Sequence, residues 1–180
     1  MSQKKGQAYE KVGRMYEKVV QRILELFYEE PSLKLTIRQV ASRTKLPHST
    51  VQYQLKALRE RGVISENNQW IDSWQNKMKK SYYYLERIAQ SGLIDYLEKE
   101  LAASAIILFG SFRKGESVKG SDIDIFVEGA REKKMDLRSF EKELGHPIQL
   151  FVKPKITALP PHLLNNVVNG IKLKGYFTIK

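Results

Sequence analysis

The sequence contains no cysteine, and this absence removes several classes of chemistry at once. Disulfide bonds, thiolate metal sites and cysteine nucleophiles are all excluded. The three histidines, His48, His146 and His162, lack the spacing of metal ligands, so we expect them to be surface or packing residues. No apolar run approaches membrane-spanning length, and the first residues are polar without an apolar signal core. We therefore expect a soluble, cytoplasmic protein with no membrane partner.

Acidic residues are also scarce in one part of the chain. None occurs between Pro31 and Leu58, and residues 31–82 hold ten basic residues against three acidic ones. Over all 180 residues, 31 Lys and Arg exceed 20 Asp and Glu, which gives a formal net charge of +11. Such a local excess is typical of nucleic-acid binders, although a basic surface can also serve solubility alone. The length fits one large domain or two small ones.

The segment from residue 105 to 127 carries the most specific pattern. Ala105–Phe109 is a short apolar run that predicts a strand buried on both faces. Gly110 ends the run and lets the backbone approach a ligand closely, and Ser111 is suited to begin a helix whose amides and hydroxyl face a phosphate. Gly115 and Gly120 punctuate the connection that follows. The pattern predicts a strand followed by a phosphate-binding turn.

A second strand is predicted after this turn, and it carries two aspartates. Side chains alternate along a strand, so Asp122 and Asp124 point the same way while Ile123, Ile125 and Val127 point into the core. Two adjacent carboxylates repel each other unless a cation lies between them. Two oxygen ligands with open positions suit Mg²⁺ bound to substrate phosphates. The pattern favours phosphoryl or nucleotidyl transfer assisted by metal.

These residues carry a family resemblance. Gly110-Ser111, Gly115 and Ser121–Asp124 resemble the glycine-serine and aspartate-x-aspartate signature of the DNA polymerase β-like nucleotidyltransferase superfamily, particularly its small prokaryotic, minimal members. The resemblance covers roughly residues 95–180. It implies that a nucleoside triphosphate, with ATP the expected one, is the substrate or ligand and that Mg²⁺ is the cofactor.

The resemblance also implies residue roles. Gly110 and Ser111 would hold the triphosphate, and Asp122 and Asp124 would be the catalytic, metal-binding carboxylates. Lys114 matches a basic residue often found just before the second glycine, where arginine is common. The lysine ammonium is a compact point charge, whereas an arginine would present a planar guanidinium group.

One departure from the family pattern concerns catalysis. Active members carry a third carboxylate on a later strand, and the candidate strand here is His146–Val152. The aligned position is Gln149, which can accept a hydrogen bond but cannot serve as a base or an anionic ligand. Glu128, Asp136 and Glu141 are alternatives that the sequence does not place near the site. Nucleotide binding is therefore expected, whereas turnover stays an open question.

The amino-terminal part predicts three helices. The first spans residues 16–27, and the second, Ile37–Thr44, is expected to begin at an N-cap, Thr36. After a tight turn, Ser49 is the expected cap of a third helix, Thr50–Arg61, ended by a glycine. Two short helices joined in this way are typical of a helix-turn-helix.

A two-stranded wing is predicted to follow, because Val63–Ile71 has β-type ends around a polar Asn67-Asn68 turn. The segment resembles the winged helix-turn-helix domains of prokaryotic transcription regulators, so double-stranded DNA is the expected partner. A solvated polar face, or a winged helix used for protein contact, is the alternative interpretation. The predicted DNA-binding residues are Arg38, Arg43, Lys45, Ser49, Thr50, Gln52, Tyr53 and Lys56.

Between the two parts we predict a helical connector at residues 73–92, from the domain at 1–72 to the domain at 93–180. The helix there has an expected apolar face of Tyr82, Leu85, Ile88 and Ala89. The cluster at residues 82–84 suggests a base-stacking surface, but packing against a neighbouring domain or subunit is the preferred interpretation. Such a connector is also a common place for homodimer contacts.

Helices are further predicted at 93–101, 137–144 and 162–169, with strands at 148–152 and 171–179. The predicted fold class is thus α+β: a winged helix-turn-helix, a helical connector and a nucleotidyltransferase-like domain with a small mixed sheet.

Three functional hypotheses follow. The first is a DNA-binding protein that transfers a nucleotide, AMP in particular, from a triphosphate to an unknown acceptor, which includes the case of a protein acceptor. The second is a transcription regulator, of the archaeal type, that uses the domain for nucleotide sensing or dimerisation without turnover. The third, carried by the family resemblance alone, is an antitoxin-like modifier of a partner protein.

Overall fold

The computed structural model describes residues 17–130 and 133–176. The chain divides into two compact units, Met1–Asp72 and Ser73–Lys180, and buried apolar side chains are present in both. None of the helices in the described parts of the chain combines the length and apolar composition that a membrane-spanning helix requires.

Three helices form most of the first unit over residues 17–72, the part that the structure describes. Helix α1 includes residues 17–29, whereas Tyr16, the predicted start, lies outside the described residues. Helix α2 is Ile37–Thr44 and helix α3 is His48–Glu60. Their apolar faces meet in one core, because each helix buries a stripe at three-to-four spacing. The fully buried members of this core include Ile23, Phe27, Val40, Val51 and Leu55.

The starts of α2 and α3 differ in how they are capped. Thr36 caps α2 as predicted, and its hydroxyl accepts from the Gln39 amide while the Gln39 side chain accepts from the Thr36 amide. The predicted cap of α3, Ser49, is wrong. Pro47 is the N-cap and the helix begins at His48, so Ser49 lies within the first turn. Proline has no side-chain acceptor, so the first-turn amides of α3 receive no hydrogen bond from the N-cap side chain.

The predicted wing is present in a short form. Ile64 and Trp70 form an antiparallel bridge, and the turn between them contains Asn68 at a φ of +51°. The Asn68 side chain donates to the Leu35 carbonyl at 2.9 Å and accepts from Arg59. Asparagine tolerates this left-handed conformation better than most residues. The hydrogen bonds therefore tie the wing to the segment that precedes α2.

The described residues of the second unit form five helices and one sheet. The helices are α4 (Trp74–Gln90), α5 (Leu93–Leu101), α6 (Gly110–Lys114), α7 (Arg138–Leu144) and α8 (Pro161–Val168), with a 3-10 turn at Ile156–Ala158. The strands are β1 (Ala103–Phe109), β2 (Ile123–Gly129), β3 (Ile148–Lys153) and β4 (Ile171–Gly175). The sheet order is β3-β2-β1-β4, with β2 and β3 parallel and the other pairs antiparallel. This mixed sheet confirms the predicted α+β class, and residues 177–179 of the predicted last strand lie outside the described residues.

Both faces of the sheet are covered. On one face, Phe126 lies in a cluster with side chains of β1, the 3-10 turn and α8, and Phe151 packs against it. On the other face lie Ile123 and Ile125, which are also fully buried. Helices α5 and α6 pack against β1 and β2. The central strands therefore consist largely of buried apolar residues on both sides, as the sequence predicted for β1.

Helix α4 belongs to the second unit, and of its predicted apolar face, Tyr82, Leu85, Ile88 and Ala89, Ile88 is fully buried whereas Tyr82 and Ala89 are exposed. Its buried residues are Asn76, Lys80, Ser81, Tyr84 and Ile88. Tyr84 packs edge-on against Phe112 and His146, with ring centroids 4.8 and 5.6 Å away. By contrast Tyr82 is 65% exposed, so its predicted place in the buried face is wrong. Lys80 and Ser81 can be buried because they donate hydrogen bonds to the Ser117 and Arg113 carbonyls. The buried face of α4 is therefore partly polar, whereas an apolar face was expected.

Candidate functional site

The two predicted carboxylates lie at the start of β2. Asp122 directly precedes the strand and is exposed, whereas Asp124 is the second strand residue and is half-buried. Strand alternation directs Asp124 to the same face as Phe126, which is fully buried. The carboxylate is therefore held at the edge of an apolar layer, where the sheet still meets solvent.

The electrostatics of Asp124 follow from this position. Burial raises the pKa of the Asp124 carboxyl above its ordinary value, and the neighbouring charge of Asp122 raises that pKa further. The ionised form of Asp124 is thus less favourable in the folded protein than in water, and a nearby cation would offset both causes. Two such carboxylates are a suitable pair of ligands for a hard divalent cation.

Gly110 approaches Asp124 more closely than any other residue type could. It is the first residue of α6 and has a φ of +70°. A Cβ atom at this position would lie 1.9 Å from Asp124 Oδ2, so even alanine would displace the carboxylate. The sequence argument for Gly110 concerned a close approach to a ligand, which stays a prediction, whereas the close neighbour in the structure is the Asp124 carboxylate.

Ser111 and Lys114 occupy the two ends of the same short helix. Ser111 follows Gly110 and is half-buried, whereas Lys114 is the last residue of α6 and is exposed. Phe109, the N-cap of α6, has no side-chain acceptor for the first-turn amides. The predicted nucleotide-binding residues are therefore all on α6. Gly110, at the start of the helix, lies next to Asp124, and Lys114 is about 6 Å further along the helix axis.

Gln149, the residue aligned with the third carboxylate of the family, lies beside Asp124. In the parallel pairing of β2 and β3, Asp124 is in register with Gln149, which is exposed. Paired residues of adjacent strands point to the same face of a sheet. A neutral amide thus lies beside Asp124 at the position where the family resemblance led us to expect an acid.

Two of the alternative carboxylates are engaged elsewhere. Glu128 accepts from the Ile156 amide at 2.7 Å and from the Ser104 hydroxyl at 3.0 Å, so it fixes the far end of β2. Asp136 pairs with Arg138 at 2.6 and 2.8 Å, and these hydrogen bonds lower the pKa of Asp136 to about 2. Neither residue takes the place of the missing carboxylate.

Glu141 has a structural partner as well, because its side chain accepts from the Ile148 amide at 3.0 Å. Within residues 17–130 and 133–176, no group of three or more acidic or histidine side chains could hold a metal ion. The two carboxylates of Asp122 and Asp124 are nevertheless compatible with Mg²⁺. Proteins commonly hold this ion through one or two carboxylates, while water and substrate phosphates complete the shell.

The other end of α6 is anchored to α4, and sequence reasoning missed this. Gly115 caps α6 with a φ of +69°, and a Cβ there would lie 2.0 Å from the Lys77 carbonyl oxygen. The Lys77 side chain also pairs with Glu116 at 3.2 Å. The sequence assigns Gly115 to a nucleotide signature, whereas its close neighbour is the backbone of a packed helix.

Two further contacts of α4 hold the backbone around α6. The Lys80 ammonium, only 2% exposed, donates to the Ser117 carbonyl, and the Ser81 hydroxyl donates to the Arg113 carbonyl at 2.9 Å. No signal in the sequence separates Lys80 from its exposed neighbour Lys79. The loop that leads to the carboxylates is therefore positioned by polar groups of α4.

In the first unit, the predicted DNA-binding residues lie on α2, α3 and the turn between them. Exposed members are Arg38, Arg43, Lys45, Ser49, Gln52, Tyr53 and Lys56, and Thr50 is half-buried. Arg43 forms an ion pair with Glu30, and Lys56 lies 3.9 Å from Glu60. Tyr53 is 64% exposed on the face of α3 opposite its buried stripe. Most of the predicted residues are thus accessible to solvent, and Arg43 already has an acidic partner.

Comparisons with known proteins agree with this division. A family model described as winged helix-turn-helix DNA-binding matches residues 17–65. A second model, described as nucleotidyltransferase domain, matches residues 91–173. Neither a curated protein nor a solved structure gives a significant match. The second match includes Gly110, Ser111, Asp122, Asp124 and Gln149.

Proposed function

We propose that this chain binds double-stranded DNA and transfers AMP from ATP to an acceptor hydroxyl. The chain joins a winged helix-turn-helix domain to a nucleotidyltransferase domain. The first domain indicates DNA binding and the second indicates nucleotide transfer in general. The nucleotide, the use of Mg²⁺ and the cytoplasmic location belong to the proposal.

One observation carries the proposal, which is the approach of Gly110 to Asp124. A conformation that excludes every side chain at Gly110 keeps the start of α6 against a carboxylate whose pKa is raised by burial and by the charge of Asp122. Asp122 and Asp124 would hold Mg²⁺, which would offset their charge and that of the phosphates. Gly110 and Ser111 would orient the triphosphate, and Lys114 would offset part of its charge.

The reaction forms one bond and breaks one. The acceptor oxygen bonds to the α-phosphorus, the bond from that phosphorus to the bridging oxygen breaks, and pyrophosphate leaves. The acceptor proton goes to solvent water, because Gln149 cannot accept it as a base. We therefore expect slow transfer compared with enzymes that have a third carboxylate.

Incubation of the protein with ATP labelled at the α-phosphate tests this proposal. We expect a labelled protein or nucleic-acid acceptor with Mg²⁺, and no label with Asp124→Asn. Absence of any labelled acceptor, together with ATP binding that does not depend on Mg²⁺, would contradict it.

A second function is favoured by Gln149 itself. A neutral amide in register with Asp124 suits a transcription regulator that senses the nucleotide without turnover. Gln149→Asp separates the two functions, because it supplies the missing acid on the same strand. If the wild type binds ATP without transfer and Gln149→Asp gains transfer, the wild-type chain is the sensor; transfer by the wild type supports the enzyme.

The proposed DNA contact can be tested with two arginines on the same helix. Arg38 is exposed on α2, whereas Arg43 already pairs with Glu30. We expect Arg38→Ala to weaken binding to all sequences and to lower the salt dependence by about one phosphate contact, with a smaller effect of Arg43→Ala. Gln52→Ala on α3 should instead reduce discrimination between sequences. Unchanged affinity in all three variants would contradict this surface.

A further inference from the structure

Helix α4 exposes a stripe of apolar side chains on the side away from its buried face. Trp74 is 71% exposed and Tyr82 is 65% exposed, Ala89 is exposed, and the other two members are half-buried. This α4 stripe consists of Trp74, Met78, Tyr82, Leu85 and Ala89. It extends over almost the whole 17-residue helix, which is about 25 Å long. A continuous apolar stripe of this kind marks an interaction surface more often than an isolated exposed side chain does.

The spacing of the stripe indicates that its partner is another helix. Met78, Tyr82, Leu85 and Ala89 follow one another at intervals of four, three and four residues, which is the a/d repeat of a coiled-coil seam. A helix with the same repeat meets such a seam along its length. Helix α4 of a second copy has this repeat by definition.

The charges beside the stripe specify how two copies would pair. Lys79 and Glu86 are exposed and each follows a seam residue directly, so both lie on the same flank, one near each end. The residues on the other flank, Ser81 and Ile88, are buried within the unit and cannot meet a partner. In an antiparallel pair, Lys79 of each copy lies beside Glu86 of the other, whereas a parallel pair gives neither charge a partner.

Nucleic acid is the competing occupant, because exposed aromatic side chains can stack on bases. A groove that follows a phosphate backbone needs a positive flank, yet the exposed flank of the stripe carries the Glu86 carboxylate as well as the Lys79 ammonium. The hydrogen bond to Glu86 from the Gln90 amide, at 3.1 Å, leaves the carboxylate charge in place. The charge pattern thus favours a second copy of the chain.

We propose that two copies of the chain pair through the α4 stripe in an antiparallel arrangement. Tyr82 of one copy packs beside Leu85 of the other, and Met78 packs beside Ala89. A two-fold dimer carries two copies of α3, which is the arrangement that inverted half-sites in DNA require. A single helix buries less surface than a standard interface of about 800 Å² per partner, so we expect a dissociation constant in the micromolar range.

Analytical ultracentrifugation of the full chain tests the pairing. From about 1 to 100 µM protein, we expect the wild type to shift from monomer to dimer. Tyr82→Glu should weaken the dimer at least about tenfold, since it places a charge in the seam. Tyr176→Glu is the matched control, because Tyr176 is 74% exposed but lies outside α4, and it should leave the dimer unchanged.

A charge exchange tests the orientation. We expect Lys79→Glu and Glu86→Lys to weaken the dimer singly, each by about three- to tenfold, and the double variant to regain it. Circular dichroism should show that all variants keep the wild-type helix content. A wild type that stays monomeric, a dimer insensitive to Tyr82→Glu, or no recovery in the double variant would overturn the proposal. Loss of DNA affinity in Tyr82→Glu from a protein that is monomeric throughout would assign the stripe to nucleic acid instead.

Discussion

The two ends of helix α6 use glycine for different purposes. Gly110 and Gly115 have nearly the same backbone conformation, with φ angles of +70° and +69°. A Cβ at Gly110 would overlap the carboxylate of Asp124, whereas a Cβ at Gly115 would overlap the Lys77 carbonyl of α4. A carboxylate can rotate away, but the backbone of a packed helix cannot. One end of α6 therefore shapes the proposed site, and the other end anchors it.

The anchored end includes more than the glycine. Lys80 is buried and donates to the Ser117 carbonyl, and His146 makes a 3.0 Å contact between Nδ1 and the Ser121 carbonyl. Since Ser121 directly precedes Asp122, these contacts hold both ends of the loop from α6 to the carboxylates. We therefore expect changes at the Gly115 end of α6 to affect folding first, and changes at the Gly110 end to affect nucleotide binding first.

The largest effect on stability is expected for Gly115→Ala. The added methyl group would overlap the Lys77 carbonyl and also strain the left-handed backbone, so we expect a loss of about 3 kcal/mol in the free energy of unfolding. Urea unfolding, with hydrogen exchange of α4 and α6, measures it. Gly120→Ala is the control, because its φ is +83° but nothing lies within 4 Å, and it should lose only about 1 kcal/mol. Equal losses in the two variants would show that α4 does not anchor α6.

Gly110→Ala is expected to lower nucleotide affinity more than stability. The methyl group would push the Asp124 carboxylate out of position, so we expect affinity for ATP with Mg²⁺ to fall about 100-fold. The free energy of unfolding should fall by about 1 kcal/mol, as in the Gly120 control. Calorimetric titration and urea unfolding of the same sample give both values. Wild-type affinity in this variant would separate Gly110 from the site.

Asp124→Asn should raise the stability of the metal-free protein at pH 7. Because the pKa of Asp124 is raised, the folded state keeps this proton to a higher pH than the unfolded chain does. The stability of the wild type therefore falls as pH rises from the ordinary aspartate range through the raised pKa, and the variant lacks this fall. We expect a gain below about 1 kcal/mol, since water screens the half-exposed carboxylate. Thermal unfolding from pH 3 to 7 checks the sign, and a loss would contradict it.

The smallest effect is expected for the ion pair between Lys77 and Glu116. The two side chains are 3.2 Å apart but both are partly exposed, so the pair should contribute less than about 0.5 kcal/mol. Glu116→Gln keeps the shape of the side chain and removes its charge, and urea unfolding measures the difference. A loss as large as that of Gly115→Ala would assign the anchoring to charge in place of close backbone packing.

The sequence predicts the parts of this fold that depend on local patterns. The Thr36 cap, the apolar strand before Gly110 and the alternation around Asp124 all follow from spacing over a few residues. The assignment of Gln149 to the third-carboxylate position stays a prediction, and the structure adds that Gln149 is in register with Asp124.

The remaining features depend on contacts distant in the chain. The Lys77 backbone meets Gly115 only because α4 packs on α6, and Lys80 is buried only because the Ser117 carbonyl lies nearby. Hydrophobic periodicity therefore identified Ile88 in the buried face of α4 but missed Lys80 and Ser81, since it cannot detect a polar partner supplied by another element. The unpredicted exposure of Tyr82 is a consequence of the same packing.

Titration of ATP into the wild-type protein by calorimetry, with and without Mg²⁺, tests the central claim most directly. We expect binding with Mg²⁺ at one site per chain, at least about tenfold weaker binding without Mg²⁺, and the same loss in Asp124→Asn when Mg²⁺ is present. Binding that is equal with and without Mg²⁺, or that is unaffected by Asp124→Asn, would contradict a nucleotide site built on Gly110, Asp122 and Asp124.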